Sequence, residues 1–355
     1  QEISHTDISN VSRVLKSDFI TQGPKILEFE RKVAKFSHTK FAVAVNSASS
    51  ALHISCLALD LKKGDFLWTS ANTFISSATC ALHCGASIDL IDINNKDFNI
   101  SIKNLKKKLL IAKKQRKLPK IIVPVSFGGL PCDLLELKEL SKFYKFKILE
   151  DASHAIGSYY KGIPSGSNDF SDISVFSFHP VKIITTGEGG VALTKNKKIY
   201  EKLKMLRTHG ITREKKFMEN KTMEKWYYEH KYLGFNYRIT DIQASLGISQ
   251  LKNARKFIKK RNQIAKFYKK KLSKLPVVMQ KIGDLKKSSY HLFVIKLSLN
   301  KSRNLRDKLY NFLRKNGIFP NLHYIPIYRH PYFKKFIFKI NNFSNTENYY
   351  KNALS

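Results

Sequence analysis

Acidic residues are scarce in this chain: 27 Asp and Glu stand against 64 Lys and Arg, a formal charge of +37. A surface this basic could neutralise the phosphates of a nucleic acid or steer a small anion. The lysines spread over Lys103–Lys120, Lys195–Lys204, Lys252–Lys274 and Lys334–Lys339, mostly at helical spacing, and no nucleic-acid motif accompanies them. A lysine-rich composition over solvated faces is therefore the first reading, with attraction of an anionic substrate as a side effect. Cysteine is rare too. Cys80 and Cys84 lie four apart, but with Cys56 and Cys132 they show no metal-site spacing, so no metal is expected and the thiols read as reduced, buried and structural. Long apolar runs are missing. Each is cut by Lys, Asp, Gly or Pro within about a dozen residues, short of the roughly 20 that a membrane span needs. No signal-peptide pattern opens the chain, which begins at Gln1; a trimmed N-terminus, a cytoplasmic location and no membrane partner are expected. No Gly-x-Gly-x-x-Gly follows the first apolar run, which argues against a dinucleotide site.

What is present is a globular chain of 355 residues, 43% hydrophobic, long enough for one large domain or two unequal ones. β-rich runs at Phe41–Val45, Asp65–Thr69, Ser87–Ile91, Lys120–Phe127, Phe146–Leu149 and Ile173–Phe176 alternate with amphipathic segments at Ile26–Phe36, Thr73–Cys84, Leu134–Tyr144 and Lys197–Arg207. Such β-turn-α units at roughly thirty-residue intervals predict an α/β fold with a doubly wound, mostly parallel sheet. A short helix is expected over Ile8–Asp18, a long loop over Thr212–Tyr232 and a long basic helix over Gln250–Lys271. Beyond it, strands at His291–Leu297 and Ile318–Pro326 flank a helix at Leu305–Lys315, which suggests a smaller α+β unit. The expected division is 1–250 for the large domain and 251–355 for the small one.

Ligand-binding groups in open α/β sheets collect at the carboxyl ends of strands. Asp151 follows the run Phe146–Leu149; Ser177 and Lys182 follow Ile173–Phe176, ahead of Gly187-Glu188-Gly189-Gly190. An acid, a hydroxyl, a lysine and a glycine-rich turn at neighbouring strand ends suit pyridoxal 5'-phosphate: lysine forms the Schiff base and an Asp keeps the pyridine nitrogen protonated. Asn46–Ser50 opens a helix directly after a strand, which offers either a phosphate site on backbone N–H groups or simply a serine cap.

Asp151-x-x-His154, Ser177-x-x-x-x-Lys182 and Gly187-Glu188-Gly189-Gly190 resemble the DegT-type sugar-nucleotide aminotransferases, which are fold type I pyridoxal phosphate enzymes. The wording from Phe176 to Gly190 is most similar to the pseudaminic acid pathway 4-aminotransferases, and the resemblance runs from about Ser12 to the end of the chain. It implies that Lys182 and Asp151 are catalytic, and that Ala48, Ser49 and Ser177 hold the cofactor phosphate. Phe74 would stack on the pyridine ring, although without the resemblance a Phe at a helix start reads as core. His154 would lie near the ring's 3-oxygen, and Asn236 would reach the phosphate in the neighbouring subunit of a homodimer with shared active sites. Thr21, Gly23, Arg238, His323 and Tyr324 would face the sugar nucleotide, against plainer readings as turn or structural residues.

The implied reaction moves an amino group from L-glutamate, through pyridoxamine phosphate, to C4 of a UDP-linked 4-keto-6-deoxy-acetamido sugar. Alternatives are a UDP-4-keto-pentose, a dTDP-keto-hexose, 3-amination, or a basic nucleic-acid-binding protein. Lys182, where some relatives carry His and dehydrate the sugar, argues for transamination. The family usually continues past a position such as Ser355 into a further turn and helix, so a shortened small domain is expected.

Overall fold

The computed structural model describes residues 2–220, 224, 226–298 and 304–355. Seven strands form the central sheet: β1 Phe41–Val45, β2 Phe66–Ser70, β3 Ser87–Ile91, β4 Ile121–Val123, β5 Lys147–Asp151, β6 Ile173–Ser177 and β7 Gly190–Thr194. Their order is β1-β7-β6-β5-β4-β2-β3. β6, β5, β4, β2 and β3 run parallel, while β7 is antiparallel to both of its neighbours. This is the mostly parallel α/β sheet that the periodicity predicts.

Alternation along the strands divides the interior into layers. Val43 and Val45 of β1 and Ala192 of β7 face one apolar cluster. Ala42, Ala44, Val191 and Leu193 face the other. With helices on both faces, strands of this kind need no polar side, and all ten residues of β6 and β7 are buried. Against the first layer lie α3 (Ala48–Ala58), α4 (Ser76–His83) and α7 (Lys197–Arg207); against the second lie α2 (Pro24–Phe36) and the start of α8 (Asp241–Leu272). α5 (Ile102–Lys114) and α6 (Leu134–Tyr144) close a third cluster around Trp68 and Ile148.

Two polar devices fix the frame. Gly23, the N-cap of α2, has no side chain to cap with, and buried Asp241 takes over, accepting from Gly23 N at 2.7 Å and Lys25 N at 2.8 Å. Glu30 of α2 and Arg207 of α7 meet at 2.5 Å and both bind β1, Glu30 accepting from Ala44 N and Arg207 donating to Ala44 O.

The first helix, α1, spans His5–Leu15, a few residues earlier than its apolar spacing suggests, because Ser4 and Asp7 form a capping box. α8 begins at Asp241 behind a Thr240–Gln243 capping box and runs 32 residues, crossing position 250 without a break. Beyond it, β8 (Val277–Met279), β9 (Ile295–Leu297) and β10 (Ala353–Leu354) make a small antiparallel sheet. α9 covers Leu305–Lys315 and α10 covers Ser344–Asn352.

The segment expected as an edge strand at 318–326 joins no ladder. Pro320 and Pro326 remove donors, and its polar groups go to Ser355 and Asn72 instead. Ile327, Tyr328, Phe333 and Phe343 from this C-terminal part pack into the same apolar cluster as α3 and α4. Within the expected loop 212–232, Ile211–Thr212 pairs with Glu229–His230 in a short hairpin; residues 221–223 and 225 lie outside the described residues. No described helix is long and apolar enough to cross a membrane.

Candidate active site

β5 and β6 are adjacent and parallel, so their carboxyl ends bring Asp151 and Ser177 to one rim of the sheet. β6 then turns into Lys182, whose N–H donates to His179 O at 2.9 Å. A cavity of about 710 Å³ opens there, within the range of small-molecule sites. Its wall brings together Ala48, Ser49, Phe74, Asp151, His154, Ser177, Lys182, His323 and Tyr324.

The anion end is built by the start of α3. Ser47 caps the helix, its Oγ accepting from Ser50 N at 3.1 Å. The N–H groups of Ala48 and Ser49 fall in the first turn and have no acceptor within their own helix, so at the cavity wall they present a helix N-terminus to an anion. β7 packs close behind: a Cβ on Gly190 would stand 2.5 Å from Ala48 N. Only a glycine leaves the cradle its shape.

Asp151 is buried and held on both oxygens. Ser77 Oγ donates to Oδ2 at 2.6 Å and Ser153 N donates to Oδ1 at 3.1 Å. Because the Ser77 proton goes to the carboxylate, Thr73 Oγ1, 2.9 Å from Ser77 Oγ, supplies the proton between those two hydroxyls. The half-buried Lys182 loses hydration, which lowers its amine to about 8 despite the favourable field of Asp151. It is a lysine that becomes a neutral nucleophile close to physiological pH.

His154 is pinned from two sides. Gly128 N donates to its Nδ1 at 3.2 Å, and Nε2 lies 3.1 Å from Tyr324 Oη. Nδ1 therefore accepts, and the ring's proton sits on Nε2. Burial, followed by the charge of Lys182, keeps His154 far below the ordinary histidine value, and the same two causes lower His323 to about 4. His291 lies against His154 with ring centroids 4.4 Å apart and the rings tilted by 50°, and burial followed by the charge of Lys182 lowers it too. Tyr324 is pushed up by burial and by Asp151, so its phenol stays protonated. Its backbone N–H is anchored on Asn72 Oδ1 at 3.0 Å.

Thr21, Gly23, Asn236 and Arg238 do not line the cavity of the single chain. Thr21 bridges to Thr240, and Gly23 is tied to Asp241. Asn236 pairs with Thr208, and Arg238 with Val45, one residue from cavity-lining Asn46. Sequence reasoning missed Ser77, Ser153, Glu188, Gln243 and His291. Ser77 had a signal, since it lies one helical turn after Thr73. His291, in a run read as a strand, had none.

An anion cradle, a buried carboxylate and a lysine of lowered affinity for protons suit a phosphorylated aldehyde carried on a basic aromatic ring. The comparisons agree. The model of the DegT/DnrJ/EryC1/StrS aminotransferase family matches residues 1–355. The chain belongs to this family. It is thereby a pyridoxal phosphate-dependent aminotransferase of fold type I. A Campylobacter jejuni protein, UDP-4-amino-4,6-dideoxy-N-acetyl-beta-L-altrosamine transaminase, is 39% identical over 100% of this chain and 90% of its own length. Helicobacter pylori PseC, an aminotransferase involved in the biosynthesis of pseudoaminic acid, superposes with a TM-score of 0.89 at 30% identity, covering 100% of this chain and 91% of that one. Spr1654 of Streptococcus pneumoniae, in its PMP-form, gives a TM-score of 0.90 at 29% identity over 99% of this chain and 91% of that one.

Proposed function

We propose that this enzyme transfers the amino group of L-glutamate to C4 of a UDP-linked 4-keto-6-deoxy-acetamido sugar, in the cytoplasm and as a homodimer. The observation that carries the reading is the convergence of Lys182, Asp151 and the first turn of α3 on one cavity wall. The similarity to the Campylobacter jejuni altrosamine transaminase supports the substrate.

When bound, pyridoxal phosphate supplies an electron sink for the bond broken at the amino-bearing carbon. Lys182 would hold the cofactor covalently through Nζ, and its amine, once free, would take up and return a proton there. Asp151 holds a proton on the ring nitrogen, and Ser77 and Ser153 keep its carboxylate aimed there. The Ala48 and Ser49 N–H groups and the Ser177 hydroxyl would hold the phosphate, which restricts how the cofactor could sit beside Lys182. Phe74, half exposed on the wall, would cover one ring face. His154, on the same wall, would serve the ring's 3-oxygen. His323 and Tyr324 face the sugar nucleotide, with Thr21, Gly23 and Arg238 nearby. Asn236, which does not reach its own chain's cavity, serves the neighbouring subunit. In this reading 1–250 serves as the cofactor-binding part and 251–355 as the smaller one.

The test is amination of a panel of keto-sugar nucleotides by the purified holoenzyme with L-glutamate, followed by mass spectrometry and NMR of the product. A 4-amino UDP-acetamido sugar as the fastest product supports the reading; faster turnover of a UDP-4-keto-pentose or a dTDP-keto-hexose, or amination at C3, overturns it.

A further inference from the structure

α8 carries ten Lys and Arg and, after Asp241, no acidic residue; the chain supplies none from Ile242 to Gly283. Among the described residues, none of these cations has a carboxylate partner. Lysines on other helices do find partners: Lys106 of α5 meets Glu136, and on α7 Lys202 meets Asp60 and Lys204 meets Glu214. Arg261 turns inward, donating to the carbonyls of Tyr290 and His291. Lys269 is half covered and the other cations of α8 are exposed.

Such a row works against the helix that carries it. Lys252, Lys256 and Lys260 follow at intervals of four, as do Arg255 and Lys259, and Lys266 and Lys270; like charges so spaced repel. The helix dipole favours only those in the last turn, Lys269–Lys271. Charges between Lys252 and Lys266 gain nothing from it. Apolar groups stand among them. Ile264, Phe267 and Tyr268 expose 43%, 57% and 44% of their surface, and Leu275, just past the helix, exposes 53%. Spacings of three and four put the first three on one face with Lys260 and Lys271, while Ala254 and Ala265 on the covered side are buried. Phe293 steadies Tyr268, with ring centroids 5.1 Å apart, and Lys271 Nζ lies 5.7 Å from the centre of the Phe267 ring. A solvated lysine face accounts for the charge but not for the large apolar side chains set within it.

We propose that the C-terminal half of α8 is a docking face for an anionic lipid surface, on which the enzyme rests without crossing it. The ammonium groups meet lipid phosphates, while the lysine stems and Ile264, Phe267 and Leu275 enter the boundary with the acyl chains. The lack of spanning runs, which suggests no membrane partner, bears on insertion and not on this contact. A nucleic acid offers the same negative charge. It has no apolar layer for Ile264 and Leu275, however, and one exposed helix face gives a strand no groove to follow. Phe267 lies about 36 Å along the helix from Gln243, which borders the cavity, so the contact engages none of the catalytic residues. The proposal stands independently of the sugar substrate.

The experiment uses the holoenzyme, whose yellow colour shows that each variant is folded and loaded. Vesicles of phosphatidylcholine with about a third phosphatidylglycerol should carry the wild type into the pellet, and pure phosphatidylcholine vesicles should leave it in solution. Lys260→Gln, Lys266→Gln, Lys270→Gln and Lys271→Gln together should weaken binding at least about tenfold at physiological salt. The same loss of charge from α7, by Lys197→Gln, Lys198→Gln, Lys202→Gln and Lys204→Gln, should weaken it no more than about threefold, because those lysines lie off the contact. Ile264→Ser with Phe267→Ser keeps every charge and should weaken binding about tenfold. Equal losses from the α7 and α8 sets would mean a diffuse attraction of the whole basic surface and would overturn the proposal. So would an unchanged affinity of the Ile264/Phe267 variant, no sedimentation with the anionic vesicles, or tighter binding to double-stranded DNA than to vesicles at equal phosphate.

Discussion

Tyr324 Oη and His154 Nε2 lie 3.1 Å apart, and the Gly128 N–H that donates to Nδ1 on the other side of the ring decides who gives the proton. His154 donates and Tyr324 accepts, so the phenol's own hydrogen is free to point at a ligand. A protonated His154 would turn a second N–H against Gly128. The arrangement is built for a neutral ring, and that has a thermodynamic consequence.

His154, His291 and His323 all bind protons more weakly folded than unfolded, His323 at about 4. With folded values below the unfolded value of about 6.5, the unfolded chain takes up protons first as the pH falls. Their contribution is intact above about pH 6.5 and is lost on the way down to about 4. Urea unfolding of the protein without substrate should show stability falling by about 2 kcal/mol for each of these histidines, about 4–6 kcal/mol for the three, between pH 7 and 5. A flat profile would contradict the neutral assignment.

Lys182, lowered to about 8 by burial, reacts through its neutral amine. Recapture of pyridoxal phosphate by cofactor-free protein, followed by its yellow absorbance, should accelerate as the pH rises through about 8 and then level off. Lys182→Ala should form no such band, and borohydride should leave the cofactor fixed on no other side chain.

Ser77 acts on the reaction through Asp151. Ser77→Ala removes the 2.6 Å hydrogen bond to a buried carboxylate, an interaction worth about 1.5–3 kcal/mol. Cofactor affinity, measured by fluorescence titration, should weaken roughly ten- to hundredfold. The fold should remain intact by circular dichroism. An unchanged Kd would mean that Ser153 alone suffices to orient Asp151.

The Glu30–Arg207 pair tests the frame rather than the chemistry. Both side chains are largely buried, and both also bind Ala44 of β1. Arg207→Met strands the Glu30 carboxylate and should cost about 3–5 kcal/mol. Adding Glu30→Met should restore a good part of that loss, read as the midpoint of chemical unfolding.

The parts of this molecule legible in the sequence are those whose cause is local. Apolar runs ending in Asp151 and Ser177 mark strand ends because a β-strand and its exit lie within ten residues of each other. α7 and α9 have the bounds that their apolar spacing suggests. What escaped depends on partners far along the chain. Ser77 gains its meaning from a carboxylate 74 residues away, and His291 from a ring on another element. The run 318–326 reads as an edge strand, but a ladder needs a neighbour, and its prolines and the Asn72 contact leave it none. Asn236 and Arg238 bridge to Thr208 and Val45, far from them along the chain and off the cavity wall, a placement that nothing near them in the sequence sets.

One consequence of α8 concerns movement. At 1.5 Å per residue its 32 residues form a rod of about 48 Å. Its leading end is pinned where Asp241 grips the Gly23 turn and Gln243 borders the cavity. A rod so fixed cannot bend midway without breaking its own ladder of hydrogen bonds. A swing of the C-terminal sheet would have to break the packing of Ile327, Tyr328 and Phe333 against α3 and α4 as well, so the rod and that packing together oppose it.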